Sequence, residues 1–390
     1  MPTYLDHAAT TPIRPEVLTA YTQALTAVGN PSSVHKFGQD ARNALEAARE
    51  SLAESLSANR SEIIFTSGGT ESDNLAVKGL YWQRNGEDST RSVIITAGTE
   101  HHGVLDPVYW LADHQGAEVQ LVPVDTRGVF DLDWLEAYLA SNGSRVALIS
   151  LMWVNNETGV IADMKSITAI AAAHGIPVHS DGVAALGHIP IDFASSGLAA
   201  LSISAHKIGG PVGAGALLVG RSQKLTSLVH GGGQERGMRS GTMDSAGAAA
   251  LALAARLSLG ELDSETTRLA ELAGRLIAAV HDIAPDAVFS RGDAVGLPGT
   301  AHFTFPGCSA DSMIFLLDAA GVSVSAGSAC TAGVNRPSHV LLAMGRTEDE
   351  ATGALRISMG YTTTAVDIEA FSAAFPSVHA AAKKAGLPSK

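Results

Sequence analysis

Short apolar runs alternate along this chain with longer stretches whose apolar positions recur every three or four residues. "EIIFTS" (62–67) precedes "GTESDNLAVKGLYWQ" (69–83), and "SVIITA" (92–97) precedes "HGVLDPVYWLADH" (102–114). "RVALISLMWV" (145–154) precedes "DMKSITAIAAAHG" (163–175), which leads directly into "IPVHSD" (176–181). The runs have strand length and the longer stretches have helical period, a rhythm that predicts a parallel, doubly wound sheet covered by helices on both faces. Ahead of it, "GQDARNALEAARESLAESLSA" (38–58) reads as a helix ending at Asn59. Behind it, a helix over 242–258 and another over 263–283 form the bridge to a second unit. That unit holds "TAHFTFPG" (300–307), a helix from Asp311, a loop of small residues at 325–333 and "ALRISMG" (354–360). The expectation is an α/β fold, with a large, mostly parallel sheet domain over 1–258, including an N-terminal arm, and a smaller α+β domain over 259–390.

Composition narrows the classes. The chain has 390 residues, 46% hydrophobic and 17% charged, enough apolar material for a folded core and too little charge for disorder. A net charge of −13 argues against nucleic acid or an anionic membrane as a partner, since both need a basic footprint. Two cysteines, Cys308 and Cys330, make no disulfide framework and favour a reducing compartment. The start "MPTYLDHAATTP" has neither the basic nor the apolar region of a signal peptide, and no apolar run is long enough for a membrane span. A cytoplasmic protein is expected.

In doubly wound sheets ligands bind where strands end, so the residues after each run carry the chemistry. "GGTES" (68–72) opens a helix: backbone N–H groups and the Thr70 hydroxyl make an anion site, or an ordinary capped helix. No dinucleotide fingerprint follows a strand and no nucleotide-triphosphate loop occurs. His101 and His102 are adjacent, a poor chelating pair; one of them stacks on a ring, shuttles a proton, or is simply a surface histidine. "NNETG" (155–159) offers two amides, with a backbone-satisfying turn as the plainer reading. Asp181 ends a buried strand, where a carboxylate is costly unless it meets a cation. Lys207 follows the apolar run 197–204 and precedes glycines that leave it uncovered, either as a phosphate-side charge or as an amine available for chemistry. One end of one sheet thus gathers an anion cradle, a histidine, amides, an aspartate, hydroxyls and a lysine. Pyridoxal phosphate asks for that set: donors for its phosphate, a carboxylate for its ring nitrogen, an amine for its aldehyde. No metal is expected.

The chain resembles the cysteine desulfurases, pyridoxal-phosphate enzymes of fold type I, nearly from end to end. The resemblance rests on "YLDHAATTP", "GNPSSVHKFG", "FTSGGTESDNLAVKG", "TEHHGVLD", "VNNETG", "SAHKIGGPVGAGAL", "HGGGQERGMRSGT", "GSACTAGV" and "LRISMG", in family order. It implies that Lys207 is the Schiff-base lysine, that Asp181 pairs with the pyridine nitrogen, and that His101 stacks on the ring and helps move protons. It implies that Gly69, Thr70, Ser204 and His206 bind the phosphate, and that Thr242 reaches the phosphate of the neighbouring subunit of a homodimer. Asn156 and Arg356 would hold the substrate L-cysteine, Arg356 by its planar fork on the α-carboxylate. Cys330 would be the nucleophile that takes the substrate sulfur as a persulfide, leaving alanine; its small-residue setting suits a loop that carries the sulfur across. The persulfide would pass to an acceptor protein such as an iron–sulfur scaffold or sulfur carrier, because the length from Cys330 to Arg356 matches the long-loop branch. Cys308 matches no catalytic motif and reads as a packed thiol.

Three positions depart from the family pattern. Ala184 stands where a glutamine usually donates to the phenolic oxygen of the ring, so that oxygen loses a partner or borrows Asn156. Gly69 replaces a common alanine and Gly209 a common tyrosine, both expected to be mild. A related lyase acting on selenocysteine or by another β-elimination, or a sulfur-transfer partner of reduced activity, are the competing readings.

Overall fold

The structure is a computed structural model, and residues 2–327 and 337–385 are described. The strands are β1 (Thr3–Tyr4), β2 (Ile63–Thr66), β3 (Val93–Ala97), β4 (Glu118–Val122), β5 (Val146–Ser150), β6 (Val178–Asp181), β7 (Ala200–Ser204), β8 (Gly215–Val219), β9 (Val288–Phe289), β10 (Thr300–Thr304), β11 (Val322–Ser323) and β12 (Ala354–Ser358). Seven of them form one sheet in the order β2-β8-β7-β6-β5-β3-β4. Its β4–β3–β5–β6–β7 portion is parallel, and β8 runs antiparallel to both β7 and β2. The mostly parallel, doubly wound sheet expected from the sequence is therefore present.

Every residue of β2, β3, β5, β6, β7 and β8 is buried, which is why all of these but β8 read in the sequence as mainly apolar runs and not as alternations. On one face, the helix Gly69–Glu87 lays Leu75, Ala76, Leu80 and Tyr81 against Ile64, Ile94, Leu148, Ala200 and Leu217. On the other, the helices Lys36–Ser55 and Ser245–Gly260 pack Leu45, Leu52, Leu251 and Ala255 against Phe65, Ile95, Ile149 and Ile203. The first of these helices ends at Ser55 and not at Asn59. Asn59 instead opens a short turn over Arg60–Glu62, its side chain accepting from Ser61 N while Glu62 reciprocates on Asn59 N.

A second core surrounds the three-stranded sheet β12-β10-β9. Phe303, Phe305, Phe371 and Phe375 fill it, with ring centroids of Phe371 and Phe375 5.0 Å apart. Cys308 lies inside it, a packed thiol as expected. The N-terminal arm joins this core: β1 pairs with β11 in parallel and Leu5 is fully buried there. From β1 the arm turns back over the ends of the large sheet, where Thr11 N donates to His206 O.

A buried ion pair fixes the glycine-rich stretch after β8. Glu235 accepts from Arg49 Nη2 at 2.6 Å and Nη1 at 2.8 Å, and its Oε2 also accepts from Phe65 N on β2. Glu235 and Arg236 have φ of 44° and 59°, strained for side chains of their size and held by this clamp. Removing one partner of such a pair strands the other charge in the interior. Glu235→Ala is expected to lower unfolding stability by about 3 kcal/mol or more in urea titrations; a loss below about 1 kcal/mol would show the pair to be as weak as a surface bridge.

Acid stability follows from two interior imidazoles. Burial lowers His179 and His302 to about 3 each. Between their ordinary value near 6.5 and about 3, only the unfolded chain takes up these protons, so the stability each histidine contributes falls as pH falls through that window, while the buried carboxyls of Asp73 and Glu100, raised by burial, act the opposite way. The histidine share is therefore read as a difference: the stability gap between wild type and His302→Gln should change by about 1.4 kcal/mol per pH unit between pH 6 and 4 in urea titrations. A gap that does not change with pH would contradict it.

Candidate active site

The carboxyl ends of β2, β5, β6 and β7 open into a cavity of about 330 Å³. Its lining includes Gly69, Thr70, His101, Asn156, Asp181, Ser204, His206, Lys207 and Arg356, so nine of the residues singled out in the sequence surround one space. Thr242 is not among them: it is solvent-exposed on the stretch that Arg239 ties to Glu71 at 2.8 Å. Cys330 lies outside the described residues. Gly327, three positions before it, lines the cavity.

Each side chain arrives for a local reason. Gly68, with φ 151°, turns the chain out of β2 so that the helix beginning at Gly69 presents its first N–H groups to the cavity. At Gly69 itself a Cβ would sit 2.6 Å from Val183 Cγ2, so the cradle has no room for alanine unless Val183 moves. The departure from the family pattern at Gly69 is therefore coupled to a neighbour. Gly209 has φ 82°, and a Cβ there would meet Arg14 Cγ at 2.7 Å, so this position too is more constrained than the sequence suggested.

His101 caps the helix His102–Gln115, its Nδ1 accepting from Gly103 N at 2.9 Å, while His102 faces Asp106. The two histidines thus diverge, and only His101 reaches the cavity. The two amides divide in the same way. Asn155 Oδ1 accepts from Glu157 N and Thr158 N, the turn role, whereas Asn156 lines the cavity and its buried Oδ1 has no hydrogen-bond partner among the described residues.

Asp181 ends β6 beside His101 and Lys207. Burial raises its carboxyl, while His101, the N–H of Val183 and Lys207 act to lower it. Burial likewise lowers His101, with Asp181 opposing. Lys207 Nζ donates to Ala8 O at 2.5 Å and to Ala9 O at 2.8 Å, so the N-terminal arm holds the amine at the cavity wall. His206 is lowered to about 4, by burial first and Lys207 second, which leaves its imidazole neutral at pH 7.

At the opposite end, Arg356 comes from β12 of the second core. Its Nη1 donates to Asn156 O at 2.8 Å, its Nη2 to Asp6 Oδ1 at 2.9 Å, and its buried Nε has no partner among the described residues. Asp6 was not singled out in the sequence; the signal was a carboxylate embedded in the arm motif "YLDHAATTP". Asp73 was missed as well, although it falls in phase with Val77 and Leu80 on the buried side of its helix.

Pyridoxal phosphate fits this donor set. A helix N-terminus with Thr70, Ser204 and His206 suits a phosphate, the buried Asp181 suits a pyridine nitrogen, and Lys207 suits an aldehyde. Asn156 Oδ1 and Arg356 Nε are buried polar atoms without a partner among the described residues, a donor–acceptor pair suited to an amino-acid adduct of the cofactor. Asp73, His101 and Asp181 also bring one ligand atom each within 4.8 Å of one another, a spacing a divalent ion accepts. Ligation needs deprotonated carboxylates, and burial raises both of these carboxyls.

Comparison with known proteins agrees with the geometry. The family model Aminotransferase class-V matches residues 3–371. The "IscS-like cysteine desulfurase" of Mycobacterium tuberculosis is 46% identical over 385 residues, covering 98% of each chain. The "Cysteine desulfurase IscS" of Dictyoglomus turgidum is 41% identical, covering 94% of this chain and 91% of its own. Among solved structures, a "NIFS-LIKE PROTEIN" superposes with a TM-score of 0.89 at 32% identity over 98% of this chain and 99% of its own. "SspA in complex with cysteine" does so with a TM-score of 0.80 at 33% identity over 92% and 98%. Identity of this extent, sustained through a sheet whose strand ends fit pyridoxal phosphate, means that the chain belongs to the pyridoxal-phosphate-dependent cysteine desulfurases of the class-V aminotransferase family.

Proposed function

We propose that this enzyme takes sulfur from L-cysteine onto Cys330 and releases alanine, with the residues around the cavity in fixed roles. The observation that carries the reading is the convergence of Asp181, His101 and Lys207 at one end of a single cavity and Arg356 at the other. Gly69, Thr70, Ser204 and His206 bind the cofactor phosphate, and Asp181 pairs with its ring nitrogen. The cofactor, when bound, supplies an electron sink for charge developed at the substrate Cα.

The chain's own groups do the rest. The unpartnered Nε of Arg356, with the neighbouring edge of its guanidinium, takes the substrate carboxylate, and Asn156 orients the bound pair. Lys207 removes the Cα proton, and His101, neutral because burial disfavours its charged form, is placed to relay protons. The Cys330 thiolate then attacks the substrate sulfur. The Cβ–S bond breaks, the sulfur stays on Cys330 as a persulfide, and the electron pair remains with the carbon skeleton, which takes up one proton at Cβ, regains one at Cα and leaves as alanine. Cys330 lies three positions from the cavity residue Gly327, and three extended residues span about 10 Å.

The wider assignments rest on the same reading. Thr242, exposed and outside its own cavity, enters the phosphate side of a second copy, giving a homodimer with shared sites. The persulfide passes to an acceptor protein, an iron–sulfur scaffold or sulfur carrier, in a cytoplasmic setting that keeps the thiol reduced. Among the described residues no helix is long and apolar enough to cross a membrane. The proposed division into domains 1–258 and 259–390 is supported by a second core built mainly from residues 269–382, to which Leu5 of the arm is added, while Leu297 packs with the first.

With L-cysteine, the wild-type enzyme is expected to yield alanine, with a persulfide mapping to Cys330 by mass. Cys330→Ser should retain the visible cofactor band and make no alanine, and Lys207→Ala should lose the borohydride-reducible linkage. Alanine formation undiminished in Cys330→Ser would overturn the thiol's role and favour an elimination that needs none.

Ala184 lines the cavity beside Asn156 and Lys207. Ala184→Gln is expected to shift the cofactor absorption and change turnover by about tenfold or more, the scale of one hydrogen bond to a charged oxygen. Unchanged absorption and turnover would show that the phenolic oxygen already has its donor.

A further inference from the structure

Beneath Asp181 lies a polar layer that the roles above do not use. His179 precedes Asp181 by two positions on β6, so both side chains leave the same face of the sheet. Its imidazole is fully buried and bridges three strands, with Nδ1 bonded to Ser150 Oγ on β5 at 2.8 Å and Nε2 to Ser202 Oγ on β7 at 2.9 Å. The helix Gly69–Glu87 covers this layer and sets Asp73 into it, 1% exposed. Asp73 Oδ1 is 3.7 Å from His179 Nε2 and has no hydrogen-bond partner among the described residues. Asp73 and Asp181 offer carboxyl oxygens that lie, with His101, within 4.8 Å of one another.

Two carboxylates that close and that dry cannot both carry charge. The groups facing Asp73 are Asp181 and His179 from β6, Ser202 from β7, and Glu100 and His101 from the segment after β3. Glu100 adds to the crowding: it is fully buried, its Oε1 accepts from Met152 N, and its Oε2 has no partner among the described residues. His101 and Lys207, the groups able to offset a negative charge here, both act on Asp181. Burial first, and Asp181 second, raise the Asp73 carboxyl well above its ordinary range, against the opposing Ser202 hydroxyl.

We propose that Asp73 is a positioning residue for the cofactor: it and Asp181 hold one proton between them, Asp73 keeps that proton, and Asp181 stays ionised toward the pyridine nitrogen. Asp73 is then a neutral acid packed behind the working carboxylate, and a reserve one. If Asp181 could no longer ionise, its repulsion of a charge on Asp73 would be gone while burial and Glu100 still opposed one; a cationic ring nitrogen in the same cavity would then draw the proton off Asp73, which would supply a weaker counter-charge. The brace of His179 between two serines keeps Asp73 at that distance without lending it a cation, because burial holds the imidazole neutral. This inference rests on the pairing of Asp181 with the ring nitrogen.

The test is a double-mutant cycle on pyridoxal-phosphate affinity in the full chain, joined to infrared spectra of the holoenzyme. Asp181→Asn should weaken the cofactor's dissociation constant by about tenfold or more, and adding Asp73→Asn to it should cost about tenfold again, whereas Asp73→Asn in the native background should cost several-fold less than that. A protonated-carboxyl band should vanish in Asp73→Asn and survive in Glu100→Gln. Equal costs of Asp73→Asn in both backgrounds, or an unaltered band, would overturn the proposal, while an unaffected Asp181→Asn would instead overturn the ring-nitrogen pairing beneath it. Should Asp73→Asn not fold, Ser202→Ala removes the hydroxyl facing Asp73 with little change of packing; the same band must then move, and its constancy would sink the idea.

Discussion

The structure turns on one ionisable group kept where charge is expensive: the carboxyl of Asp181 at the end of a central strand. A lone carboxylate there would be neutralised by its surroundings, since burial alone drives its proton affinity up. What makes it usable is the arrangement around it. His101 arrives as the cap of one helix, Lys207 follows β7, and the N–H of Val183 closes from the next turn, each favouring the ionised form. The parallel sheet is what brings them together, because its strands end side by side and every following segment starts from the same edge.

The substrate end of the cavity has a different origin. Arg356 belongs to β12 and is tied to Asp6 of the arm and to the backbone of Asn156. The arm itself is fastened to the second core by β1 and Leu5, then to the first by hydrogen bonds at Thr11, His206 and Lys207. Cofactor chemistry is thus set by the large sheet, and the recognition of a carboxylate by a residue the second core delivers. Glu157 joins the two from below: Ser338 donates to its Oε2 at 2.5 Å, on the far side of the segment that carries Cys330. Both flanks of that segment, Gly327 and Ser338, therefore sit against the turn that presents Asn156.

Much of this was legible in the sequence because parallel strands leave an unmistakable apolar run and the chemistry falls just beyond it. β8 escaped notice because "GAGALLV" begins with glycines that read as loop, and its antiparallel direction follows from a tight return after Lys207. β4 escaped because "EVQLV" is an edge strand with mixed exposure and no apolar run. Neighbouring residues of like chemistry were harder still. Nothing in "NNETG" or "TEHHGV" says which amide or which imidazole faces the ligand, because that depends on a turn and a helix cap decided by backbone direction. Gly69 looked like a mild departure, yet Val183, distant in sequence, occupies the space a methyl group would need.

Polar residues inside apolar runs carried more information than their number suggests. Ser150, His179 and Ser202 each interrupt a buried strand, and in a parallel sheet such interruptions at matching heights become neighbours: Ser150 pairs with His179 in register and Ser202 with Asp181. Each alone would cost stability as an unsatisfied group in the core; aligned, they satisfy one another and form a shelf beneath the cofactor end of the cavity. The shelf also explains why the covering helix tolerates Asp73 among Leu75, Val77 and Leu80. A carboxyl there need not be charged, provided the carboxylate beside it is, and the protein can place an acid directly behind a working base without filling the interior with charge.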